Sequence, residues 1–275
     1  SLAGDIILNA GTATGTDQSV NADGTGHILL QAITAKSITA NADIVSGSGH
    51  ISLLAGQDIT FHSAADLISS VTGTLDMQAT SGAISLSETS HQTTGSGDIR
   101  LWAGTNITLG GVATTAGHIG ATANTGWIRD MDTDHSVDMV ANGLRLQAAV
   151  GVGELGASAN AIETSVSTVS ADSGTEGINL LESDDLIVDD TTVTVKRVAA
   201  DATTSDITDA VQSDLVTRDN GAIVVRSLAG DLILSEGTAT AADQSVKADG
   251  TGNILLQAMA DDKSIVINDK ADIVS

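Results

Sequence analysis

The sequence predicts an all-β protein, a parallel β-helix built from coils of about 22–24 residues with three short strands each. Three observations predict it. The stretch Ser1 to Ala32 returns at Ser227 to Ala258 with only seven of 32 positions changed, at an offset of 226 residues and without a gap. Inside that stretch a shorter phrase recurs: glycine, a polar residue, an aliphatic, a variable residue and Leu, as in GDIIL and GHILL. The composition is that of a narrow coil, with 29 Gly, no Pro, no Tyr, one Phe and two Trp. Self-similarity at a fixed period is the signature of stacked repeats.

In chain order, the phrase stands at Gly4-Asp5-Ile6-Ile7-Leu8, Gly26-His27-Ile28-Leu29-Leu30, Gly49-His50-Ile51-Ser52-Leu53, Gly73-Thr74-Leu75-Asp76-Met77 and Gly97-Asp98-Ile99-Arg100-Leu101. Between these lie the runs Ser37-Ile38-Thr39, Asp58-Ile59-Thr60-Phe61, Ala83-Ile84-Ser85-Leu86 and Asn106-Ile107-Thr108-Leu109. Each run is a short strand whose alternate side chains share a face. A strand that short buries nothing alone, but coiling stacks equivalent strands at ~4.8 Å so that each rung covers the last. Glycines are expected at the corners. The expected hand is right-handed, because parallel crossovers prefer it.

From Val112 to His135 the spacing loosens, and Gly143-Leu144-Arg145-Leu146 restores the phrase. Gly177 to Glu182, Asp185 to Val188 and Thr191 to Val198 read together as a further rung. Ala199 to Val211 lacks Gly and alternates weakly, which reads as an outward loop or a short helix laid over the coil. Gly221 to Arg226 closes the unit. Residues 1–226 are therefore expected to form one solenoid unit. Residues 227–275 begin the next copy, and no linker composition separates the two. The missing initiator Met and signal peptide suggest an excised or processed segment whose export signal lies elsewhere.

Acidic residues number 35 and basic ones 11, a net charge of −24. That excludes the electrostatic footprint of a nucleic-acid binder and disfavours anionic lipid. No apolar run is long enough for membrane insertion. Without cysteine there is no disulfide framework.

The phrases GDIIL, GHISLLAGQDITF, GDIRLWAGTNITL and GAIVVRSLAGDLIL resemble the short-strand repeats of filamentous-haemagglutinin-like bacterial adhesins. The segment NAIETSVSTVSADSGTEGINLLESDDLIV is similar to text in giant repeat-built surface proteins of the same broad group. The resemblance covers essentially the whole chain. It implies a right-handed β-helix, secretion to the bacterial cell surface, and attachment to a host or partner cell surface through protein or glycan. The cut ends of such an array also invite head-to-tail self-association.

Candidate sites are few. Asp130, Asp132 and Asp134 have the one-three-five spacing of a calcium loop, but the Gly at six and Glu at twelve are replaced by His135 and Ala141, which excludes an EF-hand. An irregular Ca2+ site or a solvated acidic turn remain as readings of this triplet. Asp184-Asp185, Asp189-Asp190 and Asp261-Asp262 read as solvated corners or as sites for a cation between turns, the corner being the favoured reading. The alternative function is a pectate-lyase-like, polysaccharide-active enzyme, which needs carboxylates, a basic catalyst and an aromatic platform together. Arg129 beside Asp130 comes closest to that combination in sequence, and the six His place no metal-ligand pair on one strand. No catalytic residues and no cofactor are expected. Trp102 and Trp127 each flank an inward aliphatic and so should point outward, either covered by a neighbouring loop or free as surface contacts for sugar or protein.

Overall fold

The structure, a computed structural model, describes residues 4–11, 17–63, 65–69, 71–238 and 243–275. Parts of both repeat copies, residues 1–3, 12–16 and 239–242, lie outside the described residues. The fold is a parallel β-helix with three sheet faces and, among the described residues, no α-helix.

Face A shows the logic. The strands Ile28–Ala32, Ile51–Ala55, Leu75–Ala79 and Ile99–Ala103 stack in parallel with one inward column Ile28, Ile51, Leu75, Ile99 and a second column Leu30, Leu53, Met77, Leu101. The columns continue through Ile119, Leu144 and Val169. Ile51, Leu75 and Ile99 have no exposed surface and Ile28 has 5%. Each such side chain contributes roughly 1.5–3 kcal/mol by leaving water. Face B stacks Ile6–Leu8, Ile38–Ala40, Ile59–Phe61, Ile84–Leu86, Ile107–Leu109 and Trp127–Asp130. Its one phenylalanine, Phe61, lies above the small Ala40. Face C runs from Gln18–Ala22 through Asp43–Ser46, Leu67–Ser69 and His91–Thr94 to Gly111–Thr114.

The corners explain the recurring phrase residue by residue. Its glycine is required by close approach and not by a left-handed backbone. A Cβ on Gly49, Gly73 or Gly97 would stand 1.9–2.0 Å from the carbonyl oxygen of the glycine one rung earlier. Buried hydroxyls tie the same corners: Ser46 donates to the Gly26 carbonyl, Ser69 to that of Gly49 and Thr94 to that of Gly97. The polar residue just ahead of a strand's first aliphatic is an acceptor for the next rung. The N–H of Ser37 donates to Asp5, Ala83 to Asp58, His91 to Asp66, His118 to Asp98, and Ser264 to Asp231, at 2.7–2.9 Å. A strand that enters from a turn has one N–H without a ladder partner, and a carboxylate or amide one rung below satisfies it. Part of the excess of acid is therefore architectural.

From Gly177 onward the coil is re-phased. Gly177–Glu182 pairs with Gly151–Val152 of face B and also with Ile162–Thr164 of face C. Face A is divided between Leu186–Val188 and Leu215–Thr217, which cover successive parts of the strand Ile162–Ser173. The second repeat copy stacks on this rung in unbroken register, Leu232–Leu234 on Leu186–Val188 and Ile254–Ala258 on Ile223–Ser227. The pentapeptide ILLQA thus stands on face A in the first copy and on the strand joining faces B and C in the second.

One reading is corrected. Thr191 to Val198 belongs to no rung, and the stretch after it is neither a helix nor a plain loop. Thr194–Val198 and Thr204–Thr208 form an antiparallel hairpin that leaves the coil after Val188 and rejoins it at Leu215. The hairpin lies back along face A. Its backbone N–H groups at Thr194, Lys196 and Val198 donate to Asp98, Thr74 and Ser52, one on each of three successive rungs, all at 2.9 Å. The side chains of the rod therefore satisfy the unpaired edge of the hairpin. Beneath it the outward column Ser52, Asp76, Arg100, Gly120, Arg145, Ser170 is buried. Gly120 marks the closest approach, since a Cβ there would meet Val193 at 3.0 Å.

Candidate functional site

Three outward-facing clusters are candidates. The first is the acidic turn between the strands Trp127–Asp130 and Met139–Ala148. Asp130 receives a hydrogen bond from Asn160 Nδ2 at 2.9 Å, and that same amide reaches the Asp132 carbonyl. Carboxylate oxygens of Glu88, Asp130 and Asp132 lie within 4.8 Å of one another, as do those of Asp130, Asp138 and Glu163. Asp134 joins neither group; it accepts the N–H groups of Ser136 and His135 at 2.6 Å, and the hydrogen bonds from Ser136 hold its carboxyl below the usual range. The expected triplet therefore splits, two members converging and the third closing the turn.

Sequence spacing missed Glu88, Asp138 and Glu163. They arrive from neighbouring rungs, with Asp138 and Glu163 at consecutive levels of one corner and the Glu163 N–H donating to Asp138 at 2.9 Å. Burial pushes the Asp138 carboxyl up to about 9, helped by the nearby Asp130 and Glu163. Burial likewise raises Glu163, opposed by a 3.1 Å contact with His135 Nδ1. The donor set is all oxygen, the type that calcium takes. The Asn160 amide, the Glu163 N–H and His135 already engage part of it.

The second cluster is a cleft of about 480 Å³ beside that turn, lined by Arg129, Asp130, Asp132, Glu154 and Asn160. Trp127 adjoins it. The Arg129 guanidinium lies 3.9 Å from the centre of the Trp127 ring, and its Nε meets Glu154 at 3.1 Å. Trp127 also packs against Gly151, where a Cβ would come within 2.5 Å of the indole. Residue types needed for polysaccharide chemistry meet here, but the cation is paired and the ring is covered.

The third surrounds Trp102, which is half-buried at the outer edge of face A. It lines a cleft of about 540 Å³ with Thr122, Asn124, Gln147, Arg218 and Asp219. The two tryptophans, equivalent by sequence, thus differ: one is packed into the surface and the other opens on a cleft.

The histidines pair across rungs and not along a strand. His27 and His50 stack with ring centres 5.0 Å apart, and the His50 N–H donates to His27 Nδ1. Asp184-Asp185 and Asp261-Asp262 stand at corners as expected, with Asp185 accepting the Asp231 N–H and meeting Lys263 at 3.3 Å. Asp190 accepts from the N–H and hydroxyl of Thr238. On face B the register stacks the outward hydroxyls of Thr39, Thr60, Ser85 and Thr108 in one column.

No family model matches the chain, and no curated protein or solved structure matches it either.

Proposed function

We propose that the chain is a structural and adhesive rod segment of a large secreted, bacterial cell-surface protein that mediates attachment to cells or surfaces. The observation that carries this reading is the unbroken register across the repeat boundary. The second copy stacks directly on the rung formed by residues 177–227, so further copies would lengthen the same rod without hinges. A rod of this kind holds a contact surface at a distance from its anchor, and its acidic flanks resist non-specific aggregation.

The test is retention under flow. Beads carrying the chain are passed over epithelial monolayers and over glycan-coated glass, beside beads carrying an unfolded variant. Retention that requires the folded chain supports the reading; equal detachment of both bead types on every surface contradicts it.

The polysaccharide-active reading has one observation in its favour, the meeting of Arg129, Asp130, Asp132 and Trp127 around one cleft. It requires a free base and a free ring face, and Glu154 and Arg129 occupy these. We expect no turnover of polygalacturonate with or without calcium. Turnover that disappears in Arg129→Ala would reverse the order of the two readings.

A further inference from the structure

Face A carries two outward columns. The first is roofed by the hairpin. The second runs beside it, from Gln31 through Leu54, Gln78, Trp102, Thr122 and Gln147 to Asp172, one residue per rung. Six steps of ~4.8 Å make this column about 29 Å long. Two clefts follow each other along it, one of about 420 Å³ that includes Gln31, Gln78 and Arg197, and the Trp102 cleft of about 540 Å³. The hairpin forms one wall, held by Arg197 Nη2 on Gln78 Oε1 at 2.7 Å. The corners that carry Asn124 and Arg218-Asp219 form the other wall.

The lining is chemically specific. Arg145 Nη2 holds Gln147 Oε1 at 3.1 Å, which leaves the Nε2 of that amide as the donor it can offer. Arg218 Nη2 is 3.0 Å from Asp172, and Arg145 also donates to the Ala210 carbonyl, so both cations are engaged. The rest of the lining is planar amides, hydroxyls and one indole, with the aliphatic Ile33 and Leu54 in the first cleft. A peptide cannot add here as a strand, because the groove lies over strands that are paired on both sides. A polyanion would meet a chain of net charge −24 with no uncommitted cation in this cleft.

We propose that this groove binds a neutral oligosaccharide of about five or six hexose units. The Trp102 indole stacks on the apolar face of one ring, and Asn124 and Gln147 hydrogen-bond the hydroxyls of its neighbours. Trp127 has no such role. The proposal deepens the adhesive reading and rests on it for its biological sense, while the binding itself is measurable alone.

The experiment titrates the full chain with cellohexaose, maltohexaose and chitohexaose, with a galacturonate hexamer as the anionic comparison, and follows tryptophan emission and calorimetric heat. At least one neutral hexamer should bind saturably, with affinity reduced tenfold or more in Trp102→Ala and unchanged in Trp127→Phe. Asn124→Ala and Gln147→Ala should each weaken it several-fold, and circular dichroism melts should match the parent. Absence of saturable binding by all three neutral hexamers overturns the proposal, as does preference for the galacturonate hexamer or equal affinity in Trp102→Ala. The flow assay separates the two claims. Bead retention by the parent chain, with no saturable solution binding of any neutral hexamer, would sink the groove and leave the adhesive rod standing. Solution binding that depends on Trp102, without bead retention anywhere, would do the reverse.

Discussion

The rungs between Ile28 and Leu109 and those between Met139 and Thr217 use the same three faces, but they treat the outside of the rod differently. In the first region every coil is closed by a glycine corner, a buried hydroxyl and a carboxylate or other acceptor for the next rung. Its interior is mostly aliphatic, broken by Phe61, by the corner hydroxyls and by the amide of Gln92. In the second region strands of 10 and 12 residues run round a corner unbroken, buried carboxylates stand at Asp138, Glu163 and Glu182, and the coil is interrupted by the hairpin. The two regions are coupled, because the irregular one supplies the cover for the regular one. Regularity builds the length of the rod, and departures from it build surface.

The largest effects should come from the regular interior. Ile51→Asp buries a charge with no partner in the stacked column and should cost at least ~4 kcal/mol, leaving the variant unfolded or its melting point far lower. Parental melting would mean that the columns are misassigned. Next comes the contact between the regions. Asp76 is fully buried and holds both Arg100, at 3.3 Å, and Arg197, at 2.6 Å, while Arg100 Nε reaches Asp209 of the hairpin at 2.9 Å. Asp76→Ala strands buried cations and should cost about 3–5 kcal/mol. Limited proteolysis of this variant should cut first between Ala199 and Thr203, at the hairpin tip. Cleavage that begins in the rungs instead would show that the hairpin is not fastened there.

A smaller effect separates the regions by pH. Burial raises Asp138 to about 9 and Glu182 to about 7. Both lose their protons near pH 4 in the unfolded chain, so the folded chain holds more protons above that pH. Their contribution is complete below pH 4 and declines as pH rises, ending near 7 for Glu182 and near 9 for Asp138. Stability measured by denaturant should therefore fall from pH 5 to pH 9, by at most ~1.4 kcal/mol per pH unit per group. Asp138→Asn keeps an acceptor for the Glu163 N–H and should flatten the curve between pH 7 and 9. An unchanged slope would acquit Asp138. The smallest effect runs the other way. Gln92 is fully buried in the column Leu67, Gln92, Val112, and neither end of its amide finds a partner. Gln92→Leu should stabilise the rod by about 1–2 kcal/mol, visible as a higher denaturation midpoint. A loss would indicate that the amide is satisfied.

Much of the fold was legible because the coil is periodic. Ile51 and Ile99 could be placed inside from the phrase alone, and Trp102 could be placed outside. The glycines were expected at the corners for their freedom, whereas stacked carbonyls exclude any Cβ there. The hairpin was not legible, since Thr194 to Val198 alternates just as a rung strand does and only its antiparallel partner distinguishes it. The column beneath it, Ser52, Asp76, Arg100, looks like a solvated face until something covers it. The acidic turn was half legible: spacing found Asp130 and Asp132, but Asp138, Glu163 and Glu88 join them only through the stacking of separate coils.

The hairpin lying along face A is the most direct consequence of this architecture. Residue-resolved hydrogen exchange of the intact chain tests it. The amides of Thr194, Lys196 and Val198 should exchange as slowly as those of the rungs they contact, and Ser52→Ala should accelerate Val198 selectively. Exchange of all three at the rate of an exposed hairpin edge, in the parent chain, would contradict the account.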